Sequence, residues 1–217
     1  MINYKFKTEP YAHQLKALER SCEEKYFAYF MEMGTGKSKV LIDNAAYLYN
    51  QGKINGLLLI APKGVYKNWY EDQIPTHLPD YINKKVVLWK SSDKTLGQEK
   101  KINSVLQTGT ELHVLIMNVE AFSYDFGKEF ARRFLDSHNA IMAVDESTTI
   151  KTPTSNRTKN ILKLRTLAKY RRILTGSPVT NSPLDLFSQC EFLEPWLLKT
   201  DSFYDFRARY SIMKSIN

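Results

Sequence analysis

The chain has little that would tie it to a membrane, an oxidising compartment or a metal cluster. No apolar run reaches the roughly 18 residues that span a bilayer. The opening stretch, "MINYKFKTEP", has no apolar segment of the kind a secretory signal carries. Only two cysteines, Cys22 and Cys190, occur in 217 residues, with no C-x-x-C and no metal-like histidine spacing. They read as small buried hydrophobes rather than as a disulfide or a zinc site. There is no internal repeat and no low-complexity tract, which excludes solenoids and disordered linkers. Acidic residues are the scarcer charge: 31 Lys and Arg face 23 Asp and Glu, a net +8 that favours polyanionic partners without requiring one. The excess is concentrated. From Lys151 to Arg172 there are eight basic residues and no acid, which reads either as a solvated basic helix face or as a nucleic-acid surface.

What is present alternates. Short apolar or aromatic runs at 25–30, 57–61, 85–89, 113–117, 140–144 and 171–175 have the length and flanks of buried strands. Residues 37–49 and 155–169 carry apolar side chains at helical spacing, the first followed by Gly52 as a stop. Strand and helix taking turns predict an α/β sandwich with a mostly parallel sheet, because parallel neighbours need helical crossovers. Past Leu193 no further strand run appears. A helix-compatible tail then reaches Asn217 without a capping Gly or Pro. The expected division is a domain over 1–195 and the start of a helical extension over 196–217, with the chain as the front part of something larger.

"MEMGTGKS" follows the first strand run and opens the first helix. Gly34, Thr35, Gly36, Lys37 and Ser38 have the makings of a phosphate loop. Glycines let backbone N–H groups turn inward, and the helix N-terminus adds partial positive charge. Lys37 can reach the β- and γ-phosphates, and the Ser38 hydroxyl can ligate Mg²⁺. Met31 stands where the strict motif has its first glycine.

A second element decides between phosphate chemistries. "AIMAVDES" ends a strand in Asp145 and Glu146, and the carboxyl edge of a parallel sheet would put both beside the loop. Asp145 is placed for the Mg²⁺ shell and Glu146 for orienting and polarising an attacking water, so hydrolysis is the expected reaction. A kinase transferring phosphate to a small acceptor does not need Glu146 in that form. The aromatics Tyr26, Phe27, Tyr29, Phe30, Trp69 and Trp89 read as core.

With these residues in view, the sequence resembles the superfamily 2 helicases, and within them the Swi/Snf-type double-stranded DNA translocases. "PYAHQLKAL" is similar to the adenine-reading segment, "MEMGTGKS" to motif I, "LLLIAPKGVYKNW" to motif Ia and "HVLIMNVEAF" to motif Ib. "VDESTTIKTP" resembles motif II, and "RRILTGSPVTNSPLDLFSQCEFLEP" resembles motif III with its following helix. The likeness runs from about Pro10 to Pro195. It implies a RecA-like P-loop NTPase fold, a three-layer sandwich, with ATP selected over GTP through Gln14. It further implies that Thr175, Gly176 and Ser177 couple the nucleotide state to DNA, and that Pro62, Lys63, Asn68 and Asn118 contact the DNA backbone without reading bases. Where the family reads DEAH or DEGH, this chain has Ser147 and Thr148 after Glu146, so the histidine linking motif II to motif III is replaced, with a threonine hydroxyl as the candidate substitute. The "DES" spelling resembles the annealing-helicase branch and its phage relatives.

The expected function is therefore the ATP-binding lobe of a DNA-stimulated helicase or translocase, using ATP and Mg²⁺. It would be weakly active alone, because motifs IV to VI and their arginine fingers belong to a second RecA-like lobe. The rival reading is a stand-alone nucleotide- or DNA-binding module that regulates a partner. Expected partners are duplex DNA and a second lobe, with no membrane, in a cytoplasmic setting that includes a phage-encoded protein in a bacterial host.

Overall fold

Each strand run read from the sequence forms a strand, within one residue at either end. The computed structural model describes residues 4–90 and 96–211, the side chains of 98, 99 and 101 excepted, so residues 212–217 of the expected extension lie outside the described residues. In chain order the elements are α1 (Ala12–Ser21), β1 (Tyr26–Phe30), α2 (Lys37–Asn50), β2 (Gly56–Ala61), α3 (Tyr66–Asn68), a π-helical turn (Trp69–Gln73) and α4 (Ile74–His77). Then follow β3 (Lys84–Leu88), α5 (Leu96–Asn103), β4 (Leu112–Asn118), α6 (Asp125–Ser137), β5 (Ala140–Asp145), α7 (Asn156–Leu164), β6 (Tyr170–Thr175), α8 (Leu186–Leu193) and α9 (Phe203–Tyr210).

Among the described residues the six strands form one sheet in the order β1-β6-β5-β2-β4-β3, with every neighbouring pair parallel. This is the three-layer α/β sandwich the sequence predicts. Side-chain alternation along β2 shows why both faces are covered: Leu57, Leu59 and Ala61 join one apolar cluster, Leu58 and Ile60 the other. The first cluster lies under α1, α2 and the segment from α3 to α4, through Leu18, Leu41, Leu48, Trp69 and Ile74. The second lies under α5 to α8, through Ile102, Phe130, Phe134, Ile161 and Phe192. With all strands parallel, their carboxyl ends share one edge, and every residue singled out from motifs I, Ia, Ib, II and III lies at a strand end there or in the segment leaving it.

Some expectations are corrected. The second helix stops at Leu164, tightens to a 3₁₀ turn over Arg165–Leu167 and leaves Ala168 extended. The chain needs those residues to enter β6, where Lys169 N–H already bonds to Ala140 O. The basic stretch is not a uniform solvated face, because Arg171 and Arg172 lie inside β6. Arg172 is 0% exposed, and its guanidinium donates to Asn44 Oδ1 and to the carbonyls of Ser21, Glu24, Lys25 and Arg171. Three of these acceptors belong to the end of α1 and the turn after it, where helix carbonyls lack intrahelical partners and favour a cation. Arg171 sits over the Tyr26 ring, 4.0 Å from its centroid. Of the aromatics read as core, Trp69, Trp89 and Tyr29 are buried, whereas Phe30 is 48% exposed at the end of β1. Cys22 is buried and Cys190 half-buried, both free thiols.

Candidate nucleotide and DNA site

The loop between β1 and α2 is shaped by two glycines in the left-handed region, Gly34 (φ 77°) and Gly36 (φ 85°), the latter capping α2. A Cβ on Gly36 would come within 2.2 Å of Gln14 Nε2, so glycine is also needed for the close approach of that side chain. Gln14 is buried against the loop: Nε2 donates to Thr35 O at 3.0 Å, and Oε1 accepts from Tyr11 N–H at 3.0 Å. Each end of the amide retains one further hydrogen-bonding position. Lys37 opens α2, and its Nζ donates to Met31 O (3.0 Å) and Glu32 O (3.1 Å), so the amine is held over the loop. Ser38 follows on the first turn, half-buried.

Asp145 ends β5. Its Oδ2 accepts from the Trp69 indole at 2.8 Å and its Oδ1 from Glu146 N–H at 3.0 Å. Burial raises the Asp145 carboxyl above its ordinary value; the Trp69 bond opposes this, Glu146 reinforces it, and the positive charge of Lys37 opposes it. Glu146 is a non-glycine residue in the left-handed region (φ 47°, ψ 61°), a conformation of the kind that persists where the surroundings over-determine it.

Strand β6 delivers motif III to the same place. Thr175 is buried, pairs with Phe30 of β1 and accepts the Ser177 N–H on its Oγ1 at 3.1 Å. Gly176 lies against the phosphate loop: a Cβ there would be 3.3 Å from Met33 N and 3.5 Å from Met31 O. Gln14, residues 34–38, Asp145, Glu146 and residues 175–177 thus gather around the carboxyl ends of β1, β6 and β5. Pro62, Lys63, Asn68 and Asn118 fall on the adjoining half of the edge, where Ala61 of β2 pairs with Asn118 of β4. Lys63 and Asn68 are exposed, and Asn118 Nδ2 donates to Glu120 Oε2 at 3.1 Å.

A family model described as the SNF2-related domain matches residues 28–215, which takes in all these motifs except the Gln14 segment. The chain belongs to the SNF2-related domain family. Relatives of this SNF2-related domain include the chromatin-remodeling ATPase INO80 of Arabidopsis thaliana, 29% identical over 169 residues, or 76% of this chain and 11% of that protein. The INO80 ATPase of Aspergillus terreus is 30% identical over 186 residues, 83% of this chain and 10% of that protein. Among solved structures, the Sulfolobus solfataricus SWI2/SNF2 ATPase core in complex with dsDNA superposes with a TM-score of 0.74 at 21% identity, covering 96% of this chain and 40% of that one. The SNF2-related domain therefore spans about a tenth of the curated relatives' length. Those relatives are a plant and a fungal protein, and they lend no support to a phage origin. No helix among the described residues is long and apolar enough to cross a membrane.

Two contacts in this SNF2-related domain escaped the sequence reading. Trp69, matched to motif Ia and read as core, is 2% exposed and reaches from motif Ia to the motif II aspartate. It begins the π-helical turn Trp69–Gln73, a geometry often found at functional sites. The second concerns the missing histidine. Among the described residues the link runs through Ser147 in place of the expected threonine: Ser147 Oγ donates to Gln189 Oε1 at 2.6 Å, and Gln189 Nε2 donates to Pro178 O and Asp185 O, both at 2.8 Å. Motif II is thereby tied to the segment after motif III. That segment is stiffened by Asp185. Burial opposes ionisation there, but the Asn181 N–H, the Thr180 hydroxyl and N–H, and Lys151 hold its carboxyl well below the usual carboxylate range.

Proposed function

We propose that this SNF2-related domain is the ATP-binding lobe of a DNA-stimulated ATPase, of the helicase or double-stranded DNA translocase kind, working with a second RecA-like lobe. The carrying observation is the convergence of Lys37, the Asp145–Glu146 pair and residues 175–177 on one sheet edge, with Gly176 against the phosphate loop. The names of the relatives, chromatin-remodeling ATPases, and the dsDNA complex of the structural neighbour support the same reading.

In this reading the N–H groups of residues 34–38 and the Lys37 amine bind the β- and γ-phosphates of ATP, the amine exchanging its loop carbonyls for phosphate oxygens. Gln14 uses its remaining donor and acceptor positions for adenine. Among the described residues no three His, Cys, Asp or Glu side chains cluster as a cage. One buried carboxylate beside a serine hydroxyl and a phosphate loop instead suits Mg²⁺, which prefers a few protein oxygens plus substrate phosphates. Asp145 and Ser38 would hold it, and when bound the ion offsets charge on the phosphate oxygens. Glu146 orients the attacking water and accepts its proton. Thr175 to Ser177, resting on the loop, sense whether phosphate is present. Pro62, Lys63, Asn68 and Asn118 bind the DNA backbone. On this reading the protein works inside a cell, where ATP and DNA are met together.

The test is ATP turnover by the full-length protein with and without duplex DNA. Glu146→Gln should retain ATP binding and lose turnover by about 10²–10⁴-fold, the usual worth of a positioned general base. Full DNA-stimulated turnover in this variant would refute the assignment.

A further inference from the structure

The half of the edge away from the nucleotide residues contains a cleft of about 540 Å³ lined by Lys63, Trp89, Asn118, Glu120, Tyr124 and Phe126. It lies beyond the carboxyl ends of β2, β4 and β3, whereas the nucleotide residues occupy the ends of β1, β6 and β5, so it is a second site. Its walls are aromatic and open. Tyr124 is 72% and Phe126 67% exposed, and Phe126 stands 5.8 Å, centroid to centroid, from the buried Trp89 that closes the floor. The lip is rigid. A Cβ on Gly127 would meet Ala121 O at 2.4 Å, so the first turn of α6 sits directly on the turn after β4 and holds Tyr124 and Phe126 at its start.

We infer that this cleft binds an unpaired nucleobase of the DNA strand whose backbone passes Lys63 and Asn118. The inference rests on the DNA reading above and extends it from backbone contact to base stacking. Flat aromatic faces accept any base through stacking, the exposed Lys63 ammonium supplies the positive charge that a neighbouring phosphate needs, and the Glu120 carboxylate, already accepting from Asn118, can accept from a base amine. A paired base cannot enter, because stacking against Tyr124 and Phe126 requires the base to leave its helix. The site therefore discriminates DNA that contains a bulge, gap or junction from uninterrupted duplex.

The experiment uses the full-length protein with two duplexes, one fully paired and one carrying a single bulged 2-aminopurine. Native protein should bind the bulged duplex about tenfold more tightly, the scale of one base–aromatic stack, and quench 2-aminopurine fluorescence. Tyr124→Ala with Phe126→Ala, both surface positions, should equalise the two affinities and abolish the quench. The exchange Tyr124→Phe with Phe126→Tyr should keep both. Native protein that binds both duplexes equally without quenching, or an alanine pair that retains preference and quench, overturns the cleft while leaving the backbone contacts standing; the former would point to a protein ligand instead. Native protein that binds neither duplex overturns the DNA reading as well.

Discussion

At the carboxyl ends of β1, β6 and β5 the candidate side chains Gln14, Lys37, Asp145 and Thr175 are buried and already bonded to protein, whereas at the ends of β2, β4 and β3 the candidate residues are largely open to solvent. Lys37, Asp145 and Thr175 each have named partners inside the fold. Lys63, Asn68, Tyr124 and Phe126 are exposed. On the proposed function, the contrast follows from what each half would have to do. Charge developing on a transferring phosphoryl group is best met by dipoles fixed beforehand in a water-poor site, where each is electrostatically stronger. A polyanionic duplex is met through water and displaced counterions, and on that proposal its contacts would have to survive movement along it. Substitutions in the first half should therefore act steeply and on chemistry, and those in the second half in a graded way and on affinity.

Trp69 breaks this division, since it follows β2 yet bonds to the aspartate of β5, and so it gives the sharpest test. Trp69→Phe keeps an aromatic ring in the core and removes the N–H bonded to Asp145 Oδ2, along with part of the indole's volume. A hydrogen bond to a charged group is worth roughly 1.5–3 kcal/mol, so turnover should fall about 10- to 100-fold. The loss should appear in kcat and in the Mg²⁺ concentration needed for half-maximal rate. Trp69→His, which can restore a donor, should recover part of it. An unchanged Mg²⁺ dependence in Trp69→Phe would return Trp69 to the role of packing.

The distribution of what could be read in advance has a physical cause. Strand runs in a sheet covered on both faces are contiguous apolar segments, so six of them stand out, and residues 34–38 or 145–146 are contiguous as well. Trp69 and Asp145 are 76 positions apart and Ser147 and Gln189 are 42 apart. Their meeting depends on β2 lying beside β5 and on α8 packing under β6, an ordering that no local pattern encodes. Arg172 misled for the same reason. It reads as one more cation in a basic stretch, and only the proximity of β6 to the end of α1 supplies the carbonyls that let a guanidinium be buried there.

Within the nucleotide half, Gln189→Leu should have a smaller effect than loss of the Trp69 bond, and of a different kind. It conserves volume but leaves the buried Ser147 hydroxyl and the carbonyls of Pro178 and Asp185 without the partner they now share. An unsatisfied buried group costs about 1–3 kcal/mol, and for a chain of this size each kcal/mol lowers Tm by roughly 2–4 °C. If the bond chain also carries the coupling that the absent histidine would provide, stimulation by DNA should fall several-fold while DNA-free turnover changes little. An equal loss in both conditions would show the link to be structural alone.

The smallest effect belongs to the open half. Lys63 carries one charge on an exposed side chain, and replacing it leaves no buried group unpaired. Lys63→Ala should weaken duplex binding only a few-fold near physiological salt, and the decisive quantity is the salt dependence. A lysine that neutralises one phosphate contributes about 0.9 to the slope of log affinity against log salt. The variant's slope should be shallower by about that amount, and the two proteins should converge in affinity as salt rises. ATP affinity measured without DNA should not move, since Lys63 lies beyond β2 and the phosphate loop follows β1. A slope identical to that of the native protein would remove Lys63 from the DNA path. A change in DNA-free ATP affinity would instead mean that the two halves of the edge are less separate than their burial implies.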